Sequence, residues 1–198
     1  MSDAAAELER WVRALREGGV VACATETLFG LLADALNERA VERVVALKGR
    51  EPGVPIAVLL PDAQALRSVS DDVSERALRL AERHWPGPLT LIVRARPGLP
   101  AALVKDGTIG VRVPGPSPAL TLVRAFGAPL TATSANRRGE PAARTAAEVA
   151  AVFPVGAAGI AAIVGSESPG TLASTIVDTT GPELVVLRQG AIALDLLA

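Results

Sequence analysis

Residues 18–48, GGVVACATETLFGLLADALNERAVERVVALK, set two structural rhythms side by side. Val20, Val21, Ala22, Cys23 and Ala24 form a short apolar run of the kind a buried strand makes, entered through Gly18-Gly19. Further on, Asn37 precedes a segment in which Val41, Val44, Val45 and Leu47 recur at helical spacing, which predicts an Asn-capped amphipathic helix. A buried strand that feeds a helix in so short a stretch points to a mixed α/β fold.

The same alternation continues in both directions. Leu8, Trp11, Val12 and Leu15 share one face of a helix predicted over 4–17, stopped by the glycine pair. Towards the C-terminus, strands are predicted over 55–60, 89–93 and 109–113, and a helix over 74–84 ends at Trp85-Pro86-Gly87-Pro88. Ser117-Pro118 opens another helix with proline at its first position. Residues 129–131 lead into the polar run Thr133-Ser134-Ala135-Asn136, and Thr145 with Glu148 forms a capping box for a helix through Val152. Strands over 160–164, 174–178 and 184–188 complete the pattern. With no repeat, low-complexity tract or linker, residues 1–198 read as a single domain.

Composition removes several function classes. Twenty Lys and Arg face 21 Asp and Glu, a net charge of -1, which argues against a broadly basic nucleic-acid binder while leaving room for a local basic cleft. One Cys and one His exclude a disulfide framework and the usual Cys/His zinc site, so no metal centre is expected. A Ser-His-Asp hydrolase would depend on His84, which reads better as structural beside Trp85, and Cys23 reads as a core residue. No apolar stretch approaches the ~20 residues a spanning helix needs. The N-terminal residues lack the apolar block of a signal peptide, so a cytoplasmic protein without membrane contact is expected. Neither a Walker loop nor a strand-borne GxGxxG is present.

What remains are polar groups at the ends of apolar strands, where open α/β sheets place their ligands. Thr25-Glu26-Thr27 can hold a small polar ligand, or form a plain turn or cap. Lys48 and Arg50 stand two apart at a helix end broken by Gly49, where both can turn to one anion or simply complement the helix C-terminus. Lysine occurs only at 48 and 105 in this arginine-rich chain, which tilts Lys48 towards a role. Ser134 and Asn136 can donate to phosphate or carboxylate oxygens, or belong to a turn. Arg112 and Arg188 each interrupt an apolar strand and need a carboxylate, a phosphate or a route to solvent, the last being the simplest expectation for either one alone. Such a set of cations and hydroxyls, without a nucleophile, suits an anionic substrate such as a nucleotide, with phosphates positioned electrostatically.

Seven segments then occur in a telling order: GGVVACATETLFGLLADALN, ALKGREPGVPIAVLL, WPGPLTLI, TIGVRVP, TATSANRRGEPAA, STIVD and LRQGAI. Together they resemble the YrdC-like family, the threonylcarbamoyl-AMP synthases, in its short form without an added C-terminal domain. The resemblance implies a twisted, open mixed sheet with flanking helices and a concave basic cleft. It implies ATP (carrying Mg2+), L-threonine and bicarbonate as substrates, and threonylcarbamoyl-AMP and pyrophosphate as products. The product would serve t6A modification of tRNA through partner transfer proteins. Carried over residue by residue, the family pattern makes Lys48 and Arg50 catalytic. It assigns Thr27, Arg112 and Ser174 to threonine, and Arg50, Thr108, Ser134, Asn136 and Arg188 to ATP. Two other readings of the same face stay open: a non-catalytic RNA-binding or ribosome-associated module, and a carbamoyl-adenylate enzyme with a different acceptor.

The chain departs from the family pattern at Cys23, Ala24, Phe29, Leu32, Leu59, Thr133, Arg138, Ala142, Ala173 and Gln189. Several of these stand where tyrosine, proline, serine, histidine or glutamate is usual, and they predict looser walls around the threonine and nucleotide sites.

Overall fold

The structure is a computed structural model that describes residues 3–49 and 53–193. Helices α1 (Asp3–Arg16), α2 (Glu38–Lys48), α3 (Glu75–His84), α4 (Pro118–Phe126) and α5 (Ala146–Val152) flank one sheet. Its strands are β1 (Val21–Cys23), β2 (Gly30–Leu32), β3 (Ala57–Leu59), β4 (Leu89–Arg94), β5 (Thr108–Arg112), β6 (Leu130–Ser134), β7 (Ala162–Val164), β8 (Thr175–Asp178) and β9 (Val185–Arg188). Short 3-10 turns at Ala63–Ser68 and Ala101–Leu103 complete the elements, and neither is foreshadowed by an apolar period.

The strands lie in the order β7-β1-β2-β6-β3-β5-β4-β8-β9. β1 and β7, β3 and β5, and β4 and β8 run parallel, and the other neighbours run antiparallel. This is the mixed, open, twisted sheet expected. β2 is the strand that sequence patterning does not find. Gly30, Leu31 and Leu32 are all buried, so no polar residue alternates with them and a glycine interrupts the run. β6 runs further than expected, because Thr131 is a core residue with a satisfied hydroxyl. Its Oγ1 donates to Leu31 O at 3.0 Å and accepts Ala33 N–H at 2.9 Å.

The two faces of the sheet differ in composition. One presents Leu31, Val58, Leu91, Val111, Thr131 and Val177, all fully buried. The other presents Gly30, Ala57, Gly110, Ala132 and Ile176 at matching register, with Ala57 paired to Ala132 and Ile92 to Gly110. Small side chains at the centre of that second face leave a hollow. A Cβ on Gly110 would come within 3.1 Å of the Ala57 Cβ, so the floor there is already at contact distance.

Helix ends follow the chemistry read from sequence. Asn37 accepts Ala40 N–H at the start of α2, and Gly49 closes it in the left-handed region at φ 60. Ser117 caps α4, with proline at its start, and Thr145 with Glu148 completes both halves of the capping box on α5. Among the described residues no helix is long and apolar enough to cross a membrane.

Candidate functional site

The hollow face holds a cavity of about 440 Å³. Its walls come from the loop after β1, the C-terminus of α2, and residues on β2, β3, β4, β5, β6, β8 and β9. Thr27, Lys48, Arg112, Ser134, Asn136, Ser174 and Arg188 all line it, so seven of the residues picked from sequence converge. Arg50 lies outside the described residues. Thr108 is not brought to the cavity. It stands at the opposite end of β5 from Arg112, and its hydroxyl donates to Lys105 O at 2.8 Å in the turn before the strand.

Lys48 is buried, and its Nζ donates into one compact cluster. The acceptors include Ser134 O at 2.7 Å, Asn136 Oδ1 at 2.8 Å, Asn136 O at 3.2 Å and Ser134 Oγ at 3.3 Å. Ser134 Oγ–H donates to Asn136 Oδ1 at 2.6 Å, and Asn136 Nδ2 donates to Glu140 O at 2.6 Å. The ammonium therefore braces the turn that carries Ser134 and Asn136, rather than standing as a loose cation at a helix end.

Arg112 is buried too, which corrects the expectation that it escapes to solvent. Its charge is matched by Glu26, whose Oε1 accepts the Nη2 N–H. Nε donates to Gly87 O at 3.1 Å, and both Nη1 and Nη2 donate to Thr27 Oγ1 at 3.3 Å. Of the five guanidinium N–H groups, one on Nη1 has no acceptor among the described residues.

Arg188, more exposed, donates through Nε and Nη2 to Ser174 O at 3.0 and 2.9 Å, and through Nη2 to Ser174 Oγ at 3.1 Å. Its Nη1 has no acceptor among the described residues. Partial burial, and then the Arg112 charge, hold Arg188 below the ordinary arginine value. Two guanidiniums lining one cavity, each with an uncommitted N–H, are an arrangement that can receive an anion.

Two polar cavity residues, Thr90 and Glu140, escaped the sequence reading. Thr90 shares a 2.8 Å hydrogen bond with Ser174 Oγ. As a lone polar residue inside Leu89-Thr90-Leu91-Ile92-Val93, it was open to the argument that singled out Arg112. Thr25, read from sequence with Glu26 and Thr27 as a ligand-holding loop or a turn, buttresses the loop after β1 by accepting Thr27 N–H at 3.0 Å and Leu28 N–H at 3.2 Å. Glu140, within the segment TATSANRRGEPAA, was not singled out there. Phe29, Leu32, Leu59, Thr133, Ala142 and Ala173, six of the departures from the family pattern, line the same cavity. Cys23 is buried with its thiol pushed upward by burial, in keeping with a core role. Among the described residues no cluster of His, Cys, Asp and Glu could hold a metal ion.

A family model described as telomere recombination, named for Sua5, YciO and YrdC, matches residues 13–190. The chain belongs to the Sua5/YciO/YrdC family. It is 36% identical over 183 residues to a threonylcarbamoyl-AMP synthase of Pyrococcus abyssi, covering 91% of this chain and 53% of that protein. The crystal structure of P. abyssi Sua5 complexed with L-threonine superposes with a TM-score of 0.90 at 34% identity, over 96% of this chain and 55% of that one. Escherichia coli YciO superposes with a TM-score of 0.86 at 25% identity, over 98% of this chain and 93% of that one. The chain thus spans about half the length of the Pyrococcus member of the Sua5/YciO/YrdC family and nearly all of the YciO member.

Proposed function

We propose that this protein makes L-threonylcarbamoyl-AMP from L-threonine, bicarbonate and ATP, releasing pyrophosphate. One observation carries the reading. A single cavity brings together two guanidiniums with uncommitted N–H groups and a lysine-braced Ser134–Asn136 turn. Its size falls within the ~300–1,000 Å³ usual for small-molecule sites. The family relationship and the L-threonine complex of the Pyrococcus relative support the same conclusion.

Arg112 and Thr27 would hold the amino-acid carboxylate, with Ser174, itself anchored by Thr90 and Arg188, beside it. Ser134, Asn136 and Arg188 would hold the nucleotide. Arg50 would add charge at the phosphates, and Lys48 would keep the Ser134–Asn136 turn in place. No covalent enzyme intermediate is required. The threonine amine and bicarbonate give a carbamate with loss of water, and a carbamate oxygen attacks the α-phosphorus as the bond to the pyrophosphate oxygen breaks. Electrostatic positioning is sufficient for such a displacement. Magnesium enters as the ATP complex, held by the phosphates. The acyl-adenylate would then pass to proteins that modify tRNA in the cytoplasm.

The deciding experiment measures pyrophosphate release from ATP and bicarbonate with and without L-threonine. Threonine-dependent release is expected. ATP binding without it, or release driven equally by other amines, would overturn the assignment.

A further inference from the structure

Glu26 does not line the cavity, yet it controls a side chain that does. Its Oε1 accepts both the Arg112 Nη2 N–H and, at 2.8 Å, the Gly115 N–H. Its Oε2 is buried without a hydrogen-bond partner among the described residues. An orphan buried oxygen of this kind is costly, so a carboxylate kept here is kept for the charge it sets against Arg112 rather than for full hydrogen bonding.

The need for that charge lies across the cavity. Arg188 lines the same cavity, and the Arg112 charge, after burial, helps to hold it below the ordinary arginine value, so the two like charges disfavour one another. Glu26 opposes this from behind, and the backbone leaves it little room to yield. A Cβ on Gly115 would lie 3.0 Å from Glu26 Cγ and 3.2 Å from Oε1. A Cβ on Gly170 would lie 2.6 Å from Glu26 O. Two closely packed glycines therefore seat Glu26 on both its side chain and its backbone.

We propose that Glu26 is a positioning residue: it clamps Arg112 Nη2 so that the unmatched Nη1 N–H stays presented to the substrate carboxylate. The proposal rests on the reading of the cavity as an amino-acid site, but its core, a guanidinium fixed by Glu26, is testable without turnover. In side-chain nitrogen NMR spectra, with the signal assigned by Arg112→Lys, the wild-type Nη protons are expected as separate resonances because rotation of the guanidinium is blocked. In Glu26→Gln, which keeps shape but removes charge, they are expected to merge. Gly115→Ala keeps every charge and shifts the Glu26 carboxyl by a few tenths of an ångström, so the same broadening is expected there should Glu26→Gln fail to fold. Separate Arg112 resonances in the folded variants would overturn the proposal.

Kinetics supply the second readout. Glu26→Gln is expected to raise KM for L-threonine about tenfold, one lost charge-assisted contact, while KM for ATP stays put. In an Arg112→Met background it should add nothing further. Additive losses, or equal rises in both KM values, would make Glu26 merely structural. A wild-type protein with no threonine-dependent release would instead sink the functional reading, and the NMR comparison would still decide the role of Glu26.

Discussion

Replacing Lys48 by methionine keeps an unbranched stem of similar length and removes only the ammonium. In the structure that ammonium makes two short bonds, 2.7 Å to Ser134 O and 2.8 Å to Asn136 Oδ1, and two longer ones. Hydrogen bonds from a charged donor contribute about 1.5–3 kcal/mol each. Holding an ammonium away from water costs several kcal/mol of the gross gain. Truncation also strands acceptors in a buried turn, so the net loss comes to about 3 kcal/mol. For a chain of this length that corresponds to a fall in Tm of roughly 6–12 °C. It stays below the ~5–15 kcal/mol by which domains are stable, so Lys48→Met should fold. Differential scanning calorimetry gives the Tm, and pyrophosphate release on the folded variant gives the turnover, which should drop because Ser134 and Asn136 lose their brace. A Tm within about 2 °C of wild type together with unchanged turnover would refute the reasoning.

Three further outcomes follow from other parts of the molecule. Leu91→Ala, on the closed face of the sheet, should cost about 3 kcal/mol in urea unfolding, whereas Ile92→Ala on the half-open face should cost less than half of that. Gly190→Ala places a Cβ 2.3 Å from Ala173 O and 2.5 Å from Ser174 O; it should lower Tm and raise KM for L-threonine by displacing Ser174. Glu148 is held below its ordinary value by the Arg144 and Thr145 backbone N–H groups. Its contribution is therefore present above the ordinary carboxylate range and lost as pH falls through the lowered value. Glu148→Gln should be less stable than wild type at neutral pH, and the gap should close in acid when Tm is followed against pH.

How far the sequence could be read depended on whether a residue's partner was local. Asn37, Ser117 and Thr145 cap helices that begin one residue later, so their roles were visible in a few letters. Arg112 and Arg188 stood out because charge within an apolar strand always needs an explanation, although only the folded chain shows that Glu26, 86 residues away, answers for Arg112. The brace between Lys48 and the Ser134–Asn136 turn joins residues 86 and 88 apart, and no periodicity encodes that distance. β2 was hidden for the opposite reason. A strand buried on both faces looks like any apolar segment, and Gly30 weakens its propensity further.

The strand order also bears on how the chain is made. β1 sits between β2 and β7, and β6 inserts between β2 and β3, so both early strands have edges that only residues from the last half of the chain can fill. During synthesis the apolar run at 20–24 emerges early and gains its parallel neighbour only when residues 162–164 are available. Until then it offers a bare edge to any other extended segment, a situation that favours aggregation over productive pairing. Charges that flank an apolar run disfavour such pairing, and Arg13, Arg16 and Glu17 stand shortly before this one.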